Sequence, residues 1–210
     1  MGKITKIESQ KRNKDRVNVY IDNNYAFSAY MELVYKESLK VNSEVDEEKL
    51  LRIAKKENLS KCKESALRII ERSYKTEKEM IQRLNEKGFD SENIAIVIDF
   101  LKEYNFINDT NYAKMYIKDK LSSQGMQKIK YSLLRKGITS DVIEEIMSNM
   151  DDNKQMDTAL ELARKKYNSL LKTEKDKYKL WNKLLRYLVG RGYDYSMAKD
   201  VIKEVMDNID

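Results

Sequence analysis

The chain has 210 residues, a formal net charge of +6, and 36% charged against 41% hydrophobic residues. A mean hydropathy of −0.74 is low for a thick core and suits thin helical layers, while the periodic interleaving of charged and apolar residues argues against disorder. Proline is absent, glycine numbers only 6, and the single cysteine excludes an internal disulfide, which fits a reducing, cytoplasmic setting.

The opening MGKITKIES has no apolar segment of the signal-peptide kind. No window approaches the length of apolar residues a membrane span needs, so no contact with a membrane is expected. Residues 3–9 and 16–22 read as strands, because Val17, Val19 and Ile21 alternate with Asn18 and Tyr20. KRNKD forms the turn between them. Asp22-Asn23-Asn24 is a second turn, and Tyr25, Phe27 and Ala29 continue as a third strand. This meander is too thin to stand without something packed on it. Segments 30–37 and 46–57 look helical, with Asp46 as N-cap.

From residue 60 onward the pattern is helical. A Leu followed four residues later by Gly recurs three times: Leu84 and Gly88, Leu133 and Gly137, Leu188 and Gly192. An apolar or aromatic residue follows each Gly (Phe89, Ile138, Tyr193). A helical stripe then begins at the same offset: Ile94, Val97, Ile98, Leu101; Ile143, Ile146, Met147, Met150; Ala198, Val201, Ile202, Val205. Each Gly reads as a helix stop in the left-handed conformation.

Thr76-Glu77-Lys78-Glu79 is a capping box that starts a helix with Met80, Ile81 and Leu84 inward. Asp90 or Ser91 caps the next helix. Asp109 is read as the N-cap that opens the second repeat, and Thr139 or Ser140 caps its last helix. The third repeat, from about Asp157, has a longer first helix or a longer connection around Thr173. A period of about 50 residues fits stacked three-helix units. The expected fold is mainly α: tandem three-helix repeats in an elongated curved array, with a small amino-terminal antiparallel β segment. The expected divisions are 1–60, 61–108, 109–152 and 153–210.

Histidine is absent, which removes the commonest general base and metal ligand. Neither GxGxxG nor GxxxxGK[ST] occurs. Cys62 lies between Lys61 and Lys63, whose charges would lower a thiol pKa, but an ordinary helix-start cysteine explains it as well. Asp151-Asp152 and Glu144-Glu145 read as solvated helix ends or faces rather than metal sites. No catalytic residue, metal or cofactor is expected, and the chain does not read as an enzyme.

Basic clusters are the better candidates. Residues 164–191 hold ten basic residues against the two acids Glu174 and Asp176, a net of +8. Tyr167, Tyr178, Trp181 and Tyr187 interleave with them. Such a segment can bind phosphates and stack on bases, or it can be a solvated lysine face with its aromatics in the core. A second cluster lies on the amino-terminal hairpin. The candidate contact residues are Lys11, Arg12, Lys14, Arg16, Arg135, Lys136, Lys175, Lys177, Lys179, Lys183, Arg186 and Arg191. Tyr112 and Tyr131 are expected to pack between helical layers.

The stretch ERSYKTEKEMIQRLNEKGFDSENIAIVIDFLKEYNFINDTNYAKMYI resembles the first two repeats of the RecX family, which regulates the bacterial RecA recombinase. GMQKIKYSLLRKGITSDVIEEI is similar to the second-repeat pattern. RVNVYIDNNYAFSA resembles the extra amino-terminal segment of RecX proteins from low-GC Gram-positive bacteria. The resemblance implies consecutive three-helix units that bind RecA along the groove of its filament on DNA, spanning neighbouring protomers. It also implies reduced strand exchange and coprotease activity, no cofactor, and for some members single- or double-stranded DNA binding. A monomer is expected. A stand-alone DNA-binding protein that competes for single-stranded DNA is the alternative, and a scaffold for an unrelated protein remains open.

Overall fold

The structure is a computed structural model that describes residues 1–11, 13–148 and 152–207. Arg12, Met150 and Asp151, named above, lie outside the described residues. The chain divides into two compact units, residues 1–107 and residues 108–210.

The first unit begins with strands β1 (Gly2–Ser9), β2 (Arg16–Ile21) and β3 (Asn24–Tyr30), helix α1 (Met31–Lys36) and the two-residue strand β4 (Glu44–Val45). They form an antiparallel sheet ordered β3-β2-β1-β4. The alternation in β2 does what the sequence requires: Val17, Val19 and Ile21 are buried. Asp22 and Asn23, at φ 50° and 65°, make the tight β2–β3 turn that asparagine and aspartate tolerate. β4 is too short to leave a sequence signal.

Helix α2 (Glu47–Arg72) covers the sheet, and Asp46 caps it by accepting from the Lys49 N–H. The sequence pattern suggests a helix ending near residue 57 and another beginning after 60. The structure has one helix of 26 residues, because no Gly or Pro interrupts it. Its buried positions are Leu50, Ala54, Asn58, Cys62 and Ala66, a spacing of four. At 3.6 residues per turn, such a stripe advances about 40° per step. The helix therefore turns one side to the sheet at Leu50 and Ala54, and another to a second core at Cys62 and Ala66. That second core also holds Met80 and Leu84 of α3 (Glu77–Glu86) and the stripe Ile94, Val97, Ile98 and Leu101 of α4 (Ser91–Glu103). The Thr76 capping box is formed, and Asp90 caps α4. Cys62 thus sits mid-helix and fully buried, not at a helix start. Burial, and secondarily Asp90, pushes its thiol up to about 11, the reverse of activation by Lys61 and Lys63.

The second unit holds α5 (Asp109–Lys120), α6 (Met126–Arg135) and α7 (Ser140–Ser148), then α8 (Asp152–Leu170), α9 (Lys177–Gly190) and α10 (Tyr195–Asp207). Each trio closes on its own core: Ile117, Ile129, Leu133 and Ile143 in one, and Leu180, Leu184, Leu188, Val201 and Ile202 in the other. Asn108, not Asp109, is the N-cap of α5, its side chain accepting from the Asn111 N–H; asparagine caps as well as aspartate does. The longer third repeat comes from the 19 residues of α8 and a connection over residues 171–176.

The repeated Leu–Gly motif is a Schellman stop in all three copies. Phe89, Ile138 and Tyr193 donate to the carbonyls of Leu84, Leu133 and Leu188 at 3.3, 3.1 and 3.2 Å. The glycines at the turn have φ of 82°, 93° and 89°. The apolar residue after each Gly is buried, which closes the motif hydrophobically.

Candidate partner-binding surfaces

On the hairpin, Lys11 and Lys14 are exposed in the β1–β2 connection. Arg16, expected beside them as a surface cation, is only 5% exposed. Its guanidinium lies over the Tyr30 ring, 5.2 Å from the centroid, and donates to the Gly88 carbonyl at 3.2 Å. It therefore ties the sheet to the stop of α3 and is not available to a partner. Nothing in the sequence signals that bond, which spans 72 positions. Beside the same connection is a cleft of about 580 Å³ lined by Asp15, Tyr30, Lys61, Arg68, Arg72 and Lys87 among others. Its charges are mixed: Arg68 pairs with Glu64, and Lys61 with Glu32, an interaction that holds the Glu32 carboxyl below its usual range.

On α9, Lys179, Lys183 and Arg186 are exposed at helical spacing, with exposed Lys175 and Lys177 at the helix start. Lys183 donates to Glu174 at 3.0 Å, which holds the Glu174 carboxyl below the usual carboxylate range. The aromatics of this segment split: Tyr167 is buried, Trp181 and Tyr187 are half-buried against the core, and Tyr178 is 76% exposed. Arg191 belongs elsewhere. It is half-buried over the Tyr187 ring at 4.4 Å, and its backbone carbonyl accepts from the Gly125 N–H at 2.9 Å. Gly192 accepts similarly from Gln127 at 3.1 Å. A Cβ on Gly125 would overlap the Gly192 carbonyl, and a Cβ on Gly192 would overlap Lys128. The start of α6 is thus seated directly on the stop of α9.

Arg135 and Lys136 end α6. Arg135 lies over the ring of Tyr131, and Lys136 over those of Tyr112 and Tyr116. Tyr131, expected between layers, is 62% exposed because α6 turns Ile129 and Leu133 inward instead. Glu144 pairs with Lys130 rather than with a second acid. Among the described residues no three His, Cys, Asp or Glu side chains are placed to hold a metal ion, and no helix is long and apolar enough to cross a membrane.

Residues 2–46 match the regulatory protein RecX N-terminal domain. Residues 62–101, 108–147 and 153–202 match the first, second and third RecX three-helix domains. The chain belongs to the RecX family of regulatory proteins. It is 56% identical over 206 residues to the regulatory protein RecX of Clostridium beijerinckii, covering 98% of this chain and 97% of that one. It is 50% identical over 208 residues to that of Clostridium perfringens, covering 99% and 98%. A crystal structure of regulatory protein RecX superposes with a TM-score of 0.68 at 25% identity, covering 97% of this chain and 100% of that one. The structure of RecX from Lactobacillus salivarius gives 0.65 at 27%, covering 72% and 98%. The family's repeated three-helix domains account for the recurring Schellman stop.

Proposed function

We propose that this chain regulates RecA, mainly as an inhibitor. It binds the RecA filament on DNA in its helical groove, across neighbouring protomers, and modulates filament growth, strand exchange and coprotease activity. The observation that supports this reading is the tandem construction: three successive three-helix units, each with a separate core and its own polar outer faces. Several weak contacts on linked modules add up to a tight one without a deep pocket. The working form is a cytoplasmic monomer. The test is RecA ATPase on single-stranded DNA, with the whole chain and with a chain lacking residues 153–210. Loss of one unit should weaken inhibition more than any single substitution does. Equal inhibition by the shortened chain would refute multivalent binding.

A second reading is favoured by the exposed lysines of α9: the chain competes for single-stranded DNA on its own. Replacing Lys175, Lys177, Lys179 and Lys183 by Gln should then abolish inhibition and flatten the salt dependence of DNA binding. Full inhibition by that variant would exclude these lysines as the main contact.

A further inference from the structure

The middle three-helix unit carries an arrangement that neither the motif nor the lysine-rich segment accounts for. Tyr112 and Tyr116 stand one turn apart on α5, half-buried, with ring planes within 14° and centroids 6.2 Å apart. The Lys136 ammonium lies 5.3 Å from the first centroid and 5.7 Å from the second. Lys120, one turn beyond Tyr116, lies 5.8 Å from its ring. The exposed ring of Tyr131 on α6 carries the Arg135 guanidinium at 5.9 Å. Every aromatic ring here has a cation within 6 Å. Asp119 pairs with Lys120 at 2.7 Å. Residues 109–136 hold seven basic residues against two acids, a net of +5.

Tyr112 and Tyr116 pack half-buried against the core of this unit, whereas Tyr131 is exposed. Rings flanked by cations meet the two demands of an unpaired nucleic acid strand. Bases seek flat faces to stack on, and phosphates about one nucleotide apart seek positive charge. A duplex has its bases already stacked, so these rings offer it nothing and only the cations attract it.

We propose that Tyr112, Tyr116 and Tyr131, with Lys120, Arg135 and Lys136, form a stacking site for single-stranded nucleic acid on the second three-helix unit. On binding, bases take the ring faces and the cations move from ring to phosphate. This rests on the second reading above only in that the chain touches a strand directly; it assigns the contact to different residues.

The test uses the full chain, a fluorescent 15-mer of deoxythymidine and a matched duplex, followed by anisotropy at several salt concentrations. Changing Tyr112 and Tyr116 to Leu together with Tyr131→Ala should weaken single-strand binding about tenfold or more and leave duplex binding and the salt slope unchanged. The three Phe substitutions should retain binding. Lys120→Gln with Lys136→Gln should instead lower the salt slope. A direct readout that does not depend on the half-buried pair is Tyr131→Trp in a Trp181→Phe background, whose fluorescence the 15-mer should quench. Unchanged affinity of the Leu/Ala variant, or no quenching, overturns the site while leaving the α9 lysines as the contact. No single-strand binding by the unaltered chain overturns both. Normal strand binding with lost RecA inhibition would make this a protein-docking face and also overturns the proposal.

Discussion

Alanine at Gly192 should cost several times what alanine costs at Gly88, although both glycines occupy the same place in the same motif. At Gly88, φ is 82° and nothing lies within 4 Å of where a Cβ would stand. Only the left-handed conformation is penalised, at about 1 kcal/mol. At Gly192, φ is 89° and the new Cβ meets the backbone and Cβ of Lys128. The start of α6 must then move, which opens the bonds from Gln127 to Gly192 and from Gly125 to Arg191. Two hydrogen bonds at ~1 kcal/mol each, an overpacking cost of ~1 kcal/mol or more, and the conformational penalty bring the total to about 4 kcal/mol. Gly125→Ala separates the terms. Its φ of −76° carries no left-handed penalty, yet its Cβ overlaps the Gly192 carbonyl. It should cost about 3 kcal/mol. Urea unfolding followed through Trp181, which lies in the second unit, measures Gly125→Ala and Gly192→Ala; circular dichroism measures Gly88→Ala. Equal losses at Gly88 and Gly192, or a neutral Gly125→Ala, would show that the seat between α6 and α9 does not exist.

Cys62 gives a pH dependence. The free thiol ionises near 9 and the buried one near 11, so the unfolded chain releases its proton first. Stability contributed by this group is full below pH 9 and is lost as pH rises toward 11, by up to about 3 kcal/mol. Cys62→Ala should flatten the alkaline limb of the stability curve measured against the unaltered chain; a parallel limb would refute the burial effect. Ser38, exposed with φ 50°, ends α1 in the conformation that glycine takes at the other stops. Ser38→Gly should stabilise the chain by about 1 kcal/mol in thermal unfolding, and a loss would contradict the geometry.

The stops and caps were legible because each is a local bargain: Thr76 with Glu79, or Leu133 with Gly137 and Ile138, is decided within six residues. The strands were legible through alternation. The continuity of α2 was obscured by its own stripe, which rotates around the helix and matches no single amphipathic face. Arg16 could not be placed because its partner is the carbonyl of Gly88, a group every residue has. The charge excess of residues 164–191 is plain from composition alone. The ring-and-cation surface of α5 and α6 needed two helices brought side by side, although the spacing of Tyr112, Tyr116 and Lys120 was readable as one helical face.

The rotating stripe of α2 also fixes its length. The amino-terminal RecX match ends at residue 46 and the first three-helix match begins at 62, so residues 47–61 lie between the two, as a linker would. Yet every one of them is helical. Adding or removing one residue between Ala54 and Cys62 would swing everything beyond it by about 100° and slide it by about 1.5 Å. Ala66 would then leave the core, and Lys61 or Lys63 would take the buried place of Cys62. The segment works as a keyed shaft, free to vary in surface chemistry and closed to insertion.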